Sequence, residues 1–145
     1  MGEQAKFDTL KAGLPAYDYV RDDGARIVYV RAHRVLSASD VFGLFDRLIR
    51  SGAWTYGLLY DLQLANGPTT LADSDAIAAR SADLVAAHGP RGPVAIVSRD
   101  VRMLDALAFH ADRHAGVKIQ LFVDFDDAKE WLAGWKRMAR KHPKD

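Results

Sequence analysis

The chain has 145 residues, 49% of them hydrophobic and 27% charged, which fits one compact domain with a single core. It contains no cysteine, so disulfide scaffolds, thiolate metal sites and thiol nucleophiles are excluded together. The formal net charge of +1 argues against a nucleic-acid binder, because phosphate neutralisation needs a clustered basic excess. No apolar run reaches the roughly 18 residues that span a bilayer, and residues 1–6 lack a signal-peptide core, so we predict a soluble cytoplasmic protein without a transmembrane segment.

The chain opens with a predicted arm over residues 1–15 and then a β-hairpin. Residues 17–21 and 26–30 are rich in aromatic and β-branched side chains. Asp23-Gly24 between them supplies the positive-φ positions that a tight turn requires. We expect the second strand to continue towards Val35.

A helix is predicted after the hairpin. Ser39 is the expected N-cap, Asp40 opposes the helix dipole in the first turn, and Gly52 marks the C-terminal end. Five apolar side chains recur at helical spacing and indicate a face packed in the core: Val41, Leu44, Phe45, Leu48 and Ile49.

The central part of the chain is a short strand followed by a helix start. Residues 56–60 are continuously apolar, as in a strand buried on both faces of a parallel sheet. Asp61 then lies at the carboxyl end of that strand, where open α/β sheets usually place their sites. After a Gly-Pro turn, Thr70 is the expected N-cap of a helix over residues 71–88, which the Gly/Pro-rich residues 89–93 end.

Two further strand and helix units complete the chain. Residues 94–97 form a buried-type strand, after which Ser98 and Asp100 are the expected caps of a helix through residues 103–111. Residues 117–123 form the last strand. Asp124 or Asp126 then caps a final helix that buries four large side chains: Trp131, Leu132, Trp135 and Met138.

The predicted order is therefore β-β-α-β-α-β-α-β-α. Strands that alternate with helices imply right-handed crossovers and a mostly parallel sheet, with one antiparallel strand from the hairpin. We predict a single α/β domain over residues 16–142, preceded by the arm and followed by a tail over residues 143–145.

This order, with the phrases LLYDL, GPVAIVS and LFVDFDDAKEWL, resembles the STAS class, named for sulfate transporters and anti-sigma-factor antagonists. The resemblance runs from about Tyr17 to Trp135 and is nearest to the small stand-alone bacterial members of unknown function. It implies an anti-sigma-antagonist-like fold and a non-enzymatic binding or regulatory module that acts through protein–protein contacts.

The resemblance also draws attention to the turn before the second helix. The antagonists of the STAS class are switched by phosphorylation of a Ser in an Asp-Ser-Ser-Gly-like turn at this place. Here residues 66–70 read Asn-Gly-Pro-Thr-Thr, without the Ser-Gly pair. Thr69 or Thr70 is the alternative acceptor, since a helix N-terminus stabilises an anion, although Thr70 already has a sufficient role as a cap.

The predicted binding surface lies at the carboxyl edge of the sheet. It comprises the loop residues and strand ends expected to meet there: Asp61, Asn66, Thr69, Thr70, Ser98 and Arg99. We expect an unidentified protein partner or a second copy of the chain, and no catalytic residue, cofactor or metal. His110 and His114 have the spacing of a metal pair but no third ligand, and Gly89-x-x-Gly92 precedes a strand, the wrong context for a phosphate loop.

Two alternatives stay open. The first is a carrier of an apolar or lipid-like ligand, as in the CRAL-TRIO class, using large side chains that equally well fill an ordinary core: Phe42, Phe45, Trp54, Phe109, Trp131 and Trp135. The second is a small carboxylate-dependent enzyme that uses Asp61, Asp100 and Asp124, although helix capping accounts for most of these groups. The sequence thus leaves catalysis open and favours a binding module.

Overall fold

The computed structural model describes residues 16–65, 70–100 and 117–141, with side chains for all of these except residues 71 and 136–141. The predicted arm over residues 1–15, the turn residues 66–69 and the helix predicted through residues 103–111 lie outside the described residues. So do Phe109, the two histidines at 110 and 114, and the tail.

The described chain forms a five-stranded sheet and three helices. Along the sequence these are β1 (Tyr17–Asp22), β2 (Ile27–Ala32), α1 (Ala38–Arg50), β3 (Gly57–Asp61), α2 (Leu71–His88), β4 (Val94–Val97), β5 (Ile119–Phe122) and α3 (Phe125–Lys141). The strand order in the sheet is the order in the chain, with β1 antiparallel to β2 and all other neighbours parallel. The predicted mixed, mostly parallel α/β architecture is confirmed.

The hairpin forms as predicted, but its turn differs. Four residues, 23–26, connect the strands, and the positive φ of 55° belongs to Arg26 rather than to Gly24. The Asp22 carboxylate accepts a hydrogen bond from the Ala25 backbone N–H at 3.0 Å and so closes the turn from the end of the strand. The second strand also ends at Ala32, short of Val35, since residues 33–36 turn towards α1.

Helix α1 begins two residues earlier than predicted, and its N-cap is Ser37, not Ser39. The Ser37 hydroxyl accepts from the Asp40 N–H at 3.2 Å, and the Asp40 carboxylate accepts from the Ser37 N–H at 2.9 Å. This reciprocal capping box satisfies two backbone donors at the helix start. Gly52, with φ of 75°, follows the helix end as predicted.

The two glycines of the α2–β4 loop both have structural roles. Gly89, with φ of 87° and ψ of 179°, ends α2 with a positive φ that glycine adopts readily and other residues do not. Gly92 lies so close to the backbone of residues 54–56 that a Cβ would overlap the Tyr56 carbonyl. Its N–H donates to Trp54 O at 3.1 Å. Backbone packing therefore accounts for this glycine pair.

Helices α1 and α2 pack side by side on one face of the sheet. Alternate residues of β2, β3 and β4 point to this face and bury the larger part of the core, which includes Val28, Val30, Leu58, Val94 and Ile96. The apolar stripe of α1 covers them, with Leu44 and Phe45 almost fully buried. The sequence-derived core face of this helix is confirmed.

Helix α3 packs on the opposite face, over β3, β4 and β5. Small residues let it approach closely: Ala95 and Ala128 are fully buried, and Leu132 of α3 lies 3.2 Å from where a Cβ on Gly57 would stand. Trp131 and Trp135 are half-buried along this helix. None of the helices in the described ranges is long and apolar enough to cross a membrane.

Candidate functional site

The α3 face of the sheet is only partly covered in the described structure. Helix α3 lies over β3 to β5 and reaches Ile27 and Tyr29 of β2, and no other described helix covers β1 and the carboxyl end of β2 on this face. The result is a groove of about 390 Å³ between the sheet and the N-terminal half of α3. Its apolar floor consists of Val20, Tyr29, Leu59 and Phe125, and its charged rim of Asp18, Asp22, Arg31, Asp61 and Lys129.

Strand register arranges the groove residues in rows. Successive side chains of a strand alternate between faces, so residues 18, 20 and 22 of β1 share the α3 face. Asp18 is opposite Arg31, which is opposite Asp61, and this makes a polar row at the carboxyl edge of β3. The next row is apolar: Val20 is opposite Tyr29, which is opposite Leu59.

Asp61 anchors the polar row from within the protein. Its side chain is only 4% exposed, and its Oδ2 accepts from Arg31 Nε at 3.0 Å. Its Oδ1 accepts from the backbone N–H and the side-chain amide of Gln63, both at 3.1 Å. A buried carboxylate needs such partners, and here they fix Arg31, itself 54% exposed, at the end of the groove.

The acidic residues of β1 lie on the outer rim. Asp18 is exposed, and its Oδ1 lies 3.1 Å from His33 Nε2. Asp22 is also exposed and holds the hairpin turn through Ala25. Between them Val20 is 59% exposed, a high value for an apolar side chain in a strand.

Tyr29 forms the middle of the floor. Its ring stacks on Phe125 of α3, with centroids 6.1 Å apart and planes at 24°. Burial raises the pKa of the Tyr29 phenol, and the Asp22 carboxylate raises it further. The hydroxyl thus stays protonated at ordinary pH and can donate a hydrogen bond within the groove.

The residues of the predicted binding surface have diverse environments. Thr70 is exposed, and its hydroxyl accepts from the Asp73 N–H at 3.1 Å as the N-cap of α2. Ser98 is only 1% exposed and accepts from the Asp100 N–H at 3.2 Å, while Arg99 is exposed. Asn66 and Thr69 are outside the described residues. Buried Asp61 and Ser98 can act on such a surface only by positioning neighbours.

The three carboxylates proposed for catalysis lie on or after successive strands. Asp124 accepts from the Asp126 N–H at 2.9 Å and caps α3, and Asp61 is engaged as described above. Asp61 ends β3 and Asp124 follows β5, and β4 lies between these two strands in the sheet. Across residues 16–65, 70–100 and 117–141, no three His, Asp or Glu side chains are close enough to share a metal ion.

The large apolar residues proposed to line a ligand cavity lie on both faces of the sheet. Phe45 and Trp54 pack edge to face in the α1 layer, with ring centroids 6.1 Å apart. Trp131 and Trp135 lie on α3, across the sheet, and contact each other at 5.9 Å. These four side chains do not surround one cavity.

Comparison with known proteins identifies the fold. The chain is similar to the crystal structure, at 2.25 Å resolution, of an uncharacterised DUF3478-family protein with a SpoIIAA-like fold from Shewanella loihica PV-4. The TM-score is 0.54 at 20% sequence identity, over 81% of this chain and 92% of that one. The fold is SpoIIAA-like. No protein-family model and no curated protein matches the chain.

The SpoIIAA-like fold confirms the architecture that the STAS resemblance implied, but the groove was missed by the sequence analysis. One signal was available: Asp18 and Asp22 flank Val20 at alternate positions, which marks one face of β1 as polar and exposed. The incomplete cover by α3 depends on where that helix crosses the sheet, and no local pattern encodes it.

Proposed function

We propose that the chain is a non-enzymatic binding module that acts through contacts with another protein, and that the groove is the contact surface. The observation that carries this proposal is the exposed Val20 beside the stacked Tyr29 and Phe125, within a charged rim. An apolar centre bordered by polar groups is the usual composition of a protein-binding patch. The proposal includes a cytoplasmic location, with which the absence of cysteine is consistent.

The geometry of the described functional groups supports binding over catalysis. Four of these side chains accept hydrogen bonds from nearby backbone N–H groups and so stabilise helix starts or turns: Asp61, Thr70, Ser98 and Asp124. Arg31, by contrast, is fixed at one end of the groove with more than half of its side chain exposed. A prepositioned guanidinium is suited to recognise a carbonyl or a carboxylate on a partner.

The experiment compares three exposed apolar positions. Val20 is 59% exposed and lies in the groove. Leu64 is 55% exposed and precedes the predicted turn over residues 66–70, and Val123 is 58% exposed and follows β5. A photo-crosslinking amino acid at each position, activated in living cells, should join one defined protein to position 20 only. The corresponding Val20→Arg variant should lose that protein in co-purification, while Val123→Arg keeps it and both remain folded.

The other outcomes are equally informative. Crosslinking at position 64 but not at position 20 would move the binding surface to the predicted turn over residues 66–70. Absence of protein adducts at all three positions would contradict the binding module itself.

A carrier of a small apolar ligand is the second candidate. The groove volume of about 390 Å³ lies within the roughly 300–1,000 Å³ of small-molecule sites, and its floor is apolar. Native mass spectrometry of protein purified without denaturants tests it directly. A small-molecule adduct that is present natively, lost on denaturation and absent from Val20→Arg would favour the carrier over the protein-binding module.

A further inference from the structure

Some backbone groups on the outer edge of β1 have no partner strand among the described residues, and strand register shows which groups these are. His33 N–H donates to Ala16 O at 2.9 Å, which makes this a hydrogen-bonded pair of the antiparallel ladder. Hydrogen-bonded and non-bonded pairs alternate, so residues 18, 20 and 22 bond to β2. The N–H and C=O groups of Tyr17, Tyr19 and Arg21 therefore point away from the sheet.

Nothing in the described part of the chain pairs with this edge. Strand β1 is the terminal strand of the sheet, and its only described strand neighbour is β2. An open edge of six residues can accept a further strand through main-chain hydrogen bonds.

We propose that the module binds an extended segment of a partner protein, which adds to β1 as a sixth, antiparallel strand and has a basic, x, apolar, x, basic pattern. This inference rests on the proposed function and names the chemistry of its partner. The added strand would extend the floor of the groove outwards from Asp18, Val20 and Asp22.

The side chains of β1 determine this pattern. On an added strand, residues i, i+2 and i+4 share one face and would be directly opposite Asp22, Val20 and Asp18. Opposite charges across a strand pair are favourable and like charges are unfavourable, so basic residues fit the two ends and an apolar residue fits the middle. Arg31 does not neutralise this edge, because Asp61 engages it from the inner side, and His33, whose Nε2 lies 3.1 Å from Asp18, adds a positive charge only when it is protonated.

The same charges argue against a second copy of the chain as the occupant. Two-fold antiparallel pairing of β1 with itself keeps both α3 faces on the same side of the joined sheet. Asp18 and Asp22 of each copy would then line one strip and place four carboxylates there. A basic strand avoids this repulsion.

The test uses a capped five-residue peptide, Lys-Thr-Val-Thr-Lys, and nuclear magnetic resonance of the full chain. Hydrogen exchange of the Tyr17, Tyr19 and Arg21 amides should slow on binding, and the shifts should be confined to β1, β2 and the groove. The peptide Glu-Thr-Val-Thr-Glu should not bind. Asp18→Asn with Asp22→Asn should weaken binding roughly fivefold at low salt, whereas Asp46→Asn with Asp83→Asn, which removes the same charge from exposed helix positions, should not.

Backbone methylation separates strand addition from other modes of binding. In the proposed register the two threonine N–H groups face β1 and the valine N–H faces away. Methylation of both threonine amides should abolish binding, and methylation of the valine amide should leave it unchanged. Strand addition would be overturned if the unmethylated lysine peptide and its two methylated forms bound equally well. It would also be overturned if hydrogen exchange at the Tyr17, Tyr19 and Arg21 amides did not slow.

Two results would reject the added strand without rejecting the proposed protein-binding function. A protein crosslinked at position 20, together with methylated-threonine peptides that still bind, would retain the groove as a binding site and reject the added strand. A dimer that Val20→Arg dissociates would replace the peptide with a second copy and so contradict the inference.

Discussion

Gly92 is the residue where the fold leaves least room for change. It packs against the backbone of residues 54–56, and a Cβ there would overlap the Tyr56 carbonyl carbon and oxygen. Backbone atoms cannot move aside as a flexible side chain can, so the loop or β3 has to shift. The residue is thus required for the close approach of two chain segments, and not for a conformation that only glycine adopts.

Gly92→Ala is predicted to destabilise the protein by about 3 kcal/mol or more, in the range of strong overpacking. Gly43→Ala is the matched control, because it lies on the exposed face of α1 with no atom within 4 Å of a new Cβ. That variant should gain up to about 1 kcal/mol from helix propensity. Urea denaturation of both measures the difference, and equal midpoints would contradict the packing argument.

Tyr60 is expected to make the stability of the protein depend on pH in the alkaline range. Burial raises the pKa of its phenol to about 12, although the nearby charge of Arg91 opposes the shift. Arg91 is held between aromatic rings, with its Cζ 4.8 Å from the Phe45 centroid and 5.2 Å from that of Trp54. Burial lowers the pKa of Arg91 in turn.

The sign of the Tyr60 effect follows from proton linkage. An unfolded tyrosine loses its proton near pH 10, whereas folded Tyr60 keeps it until about pH 12. Between these values the unfolded state binds fewer protons, so stability falls as pH rises. Tyr60→Phe should remove about 1 kcal/mol of the loss measured between pH 9 and pH 11 by urea denaturation. An unchanged pH slope in the variant would show that Tyr60 titrates normally.

At the scale of the element, helix α1 shows how two neighbouring serines differ in function. Ser37 and Ser39 both precede the apolar stripe, but only Ser37 is three residues before Asp40 and can form the reciprocal box. Ser39 lies inside the first turn and is exposed.

Ser37→Ala is predicted to cost about 1 kcal/mol, the usual value of a lost N-cap. Ser39→Ala should be neutral or slightly stabilising, because alanine is the better helix former. Thermal unfolding of the two single variants, followed by circular dichroism, compares them directly. Equal losses would indicate that both hydroxyls contribute to the start of the helix.

The elements also show which features a sequence can predict. The bounds of α2 and β4 agree with prediction, since Thr70, Gly89 and an uninterrupted apolar run are local signals. The hairpin turn was misplaced because the Asp22 side chain closes it and the positive φ belongs to an arginine. The groove was missed because it depends on how far α3 extends over β1 and the carboxyl end of β2, and this is a property of tertiary packing.

At the scale of the whole molecule, one sheet separates two apolar layers. The α1 face includes Trp54, and the α3 face includes Leu132 and Trp131, with Trp135 in contact with Trp131. Because the strands contribute alternate side chains to both layers, we expect the two faces to unfold as one cooperative unit.

Leu132→Ala is predicted to lower stability by about 3 kcal/mol, as for other buried leucines. The shift should be the same when unfolding is followed by Trp54 alone, in a Trp131→Phe, Trp135→Phe background, and by the α3 tryptophans in a Trp54→Phe background. Leu64→Ala, at an exposed position, should change stability by less than about 0.5 kcal/mol. Different midpoints for the two reporters would show that the faces unfold separately.

The identity of chain order and sheet order has a consequence for synthesis on the ribosome. Each new strand after β1 emerges when its sheet neighbour has already been made, so pairing can proceed in one direction without waiting for a distant segment. Helix α3 emerges last of the described elements. Until then none of the described helices lies over Leu59, Ala95 and Val97, so the burial of this apolar strip by α3 waits for the translation of residues 98–132.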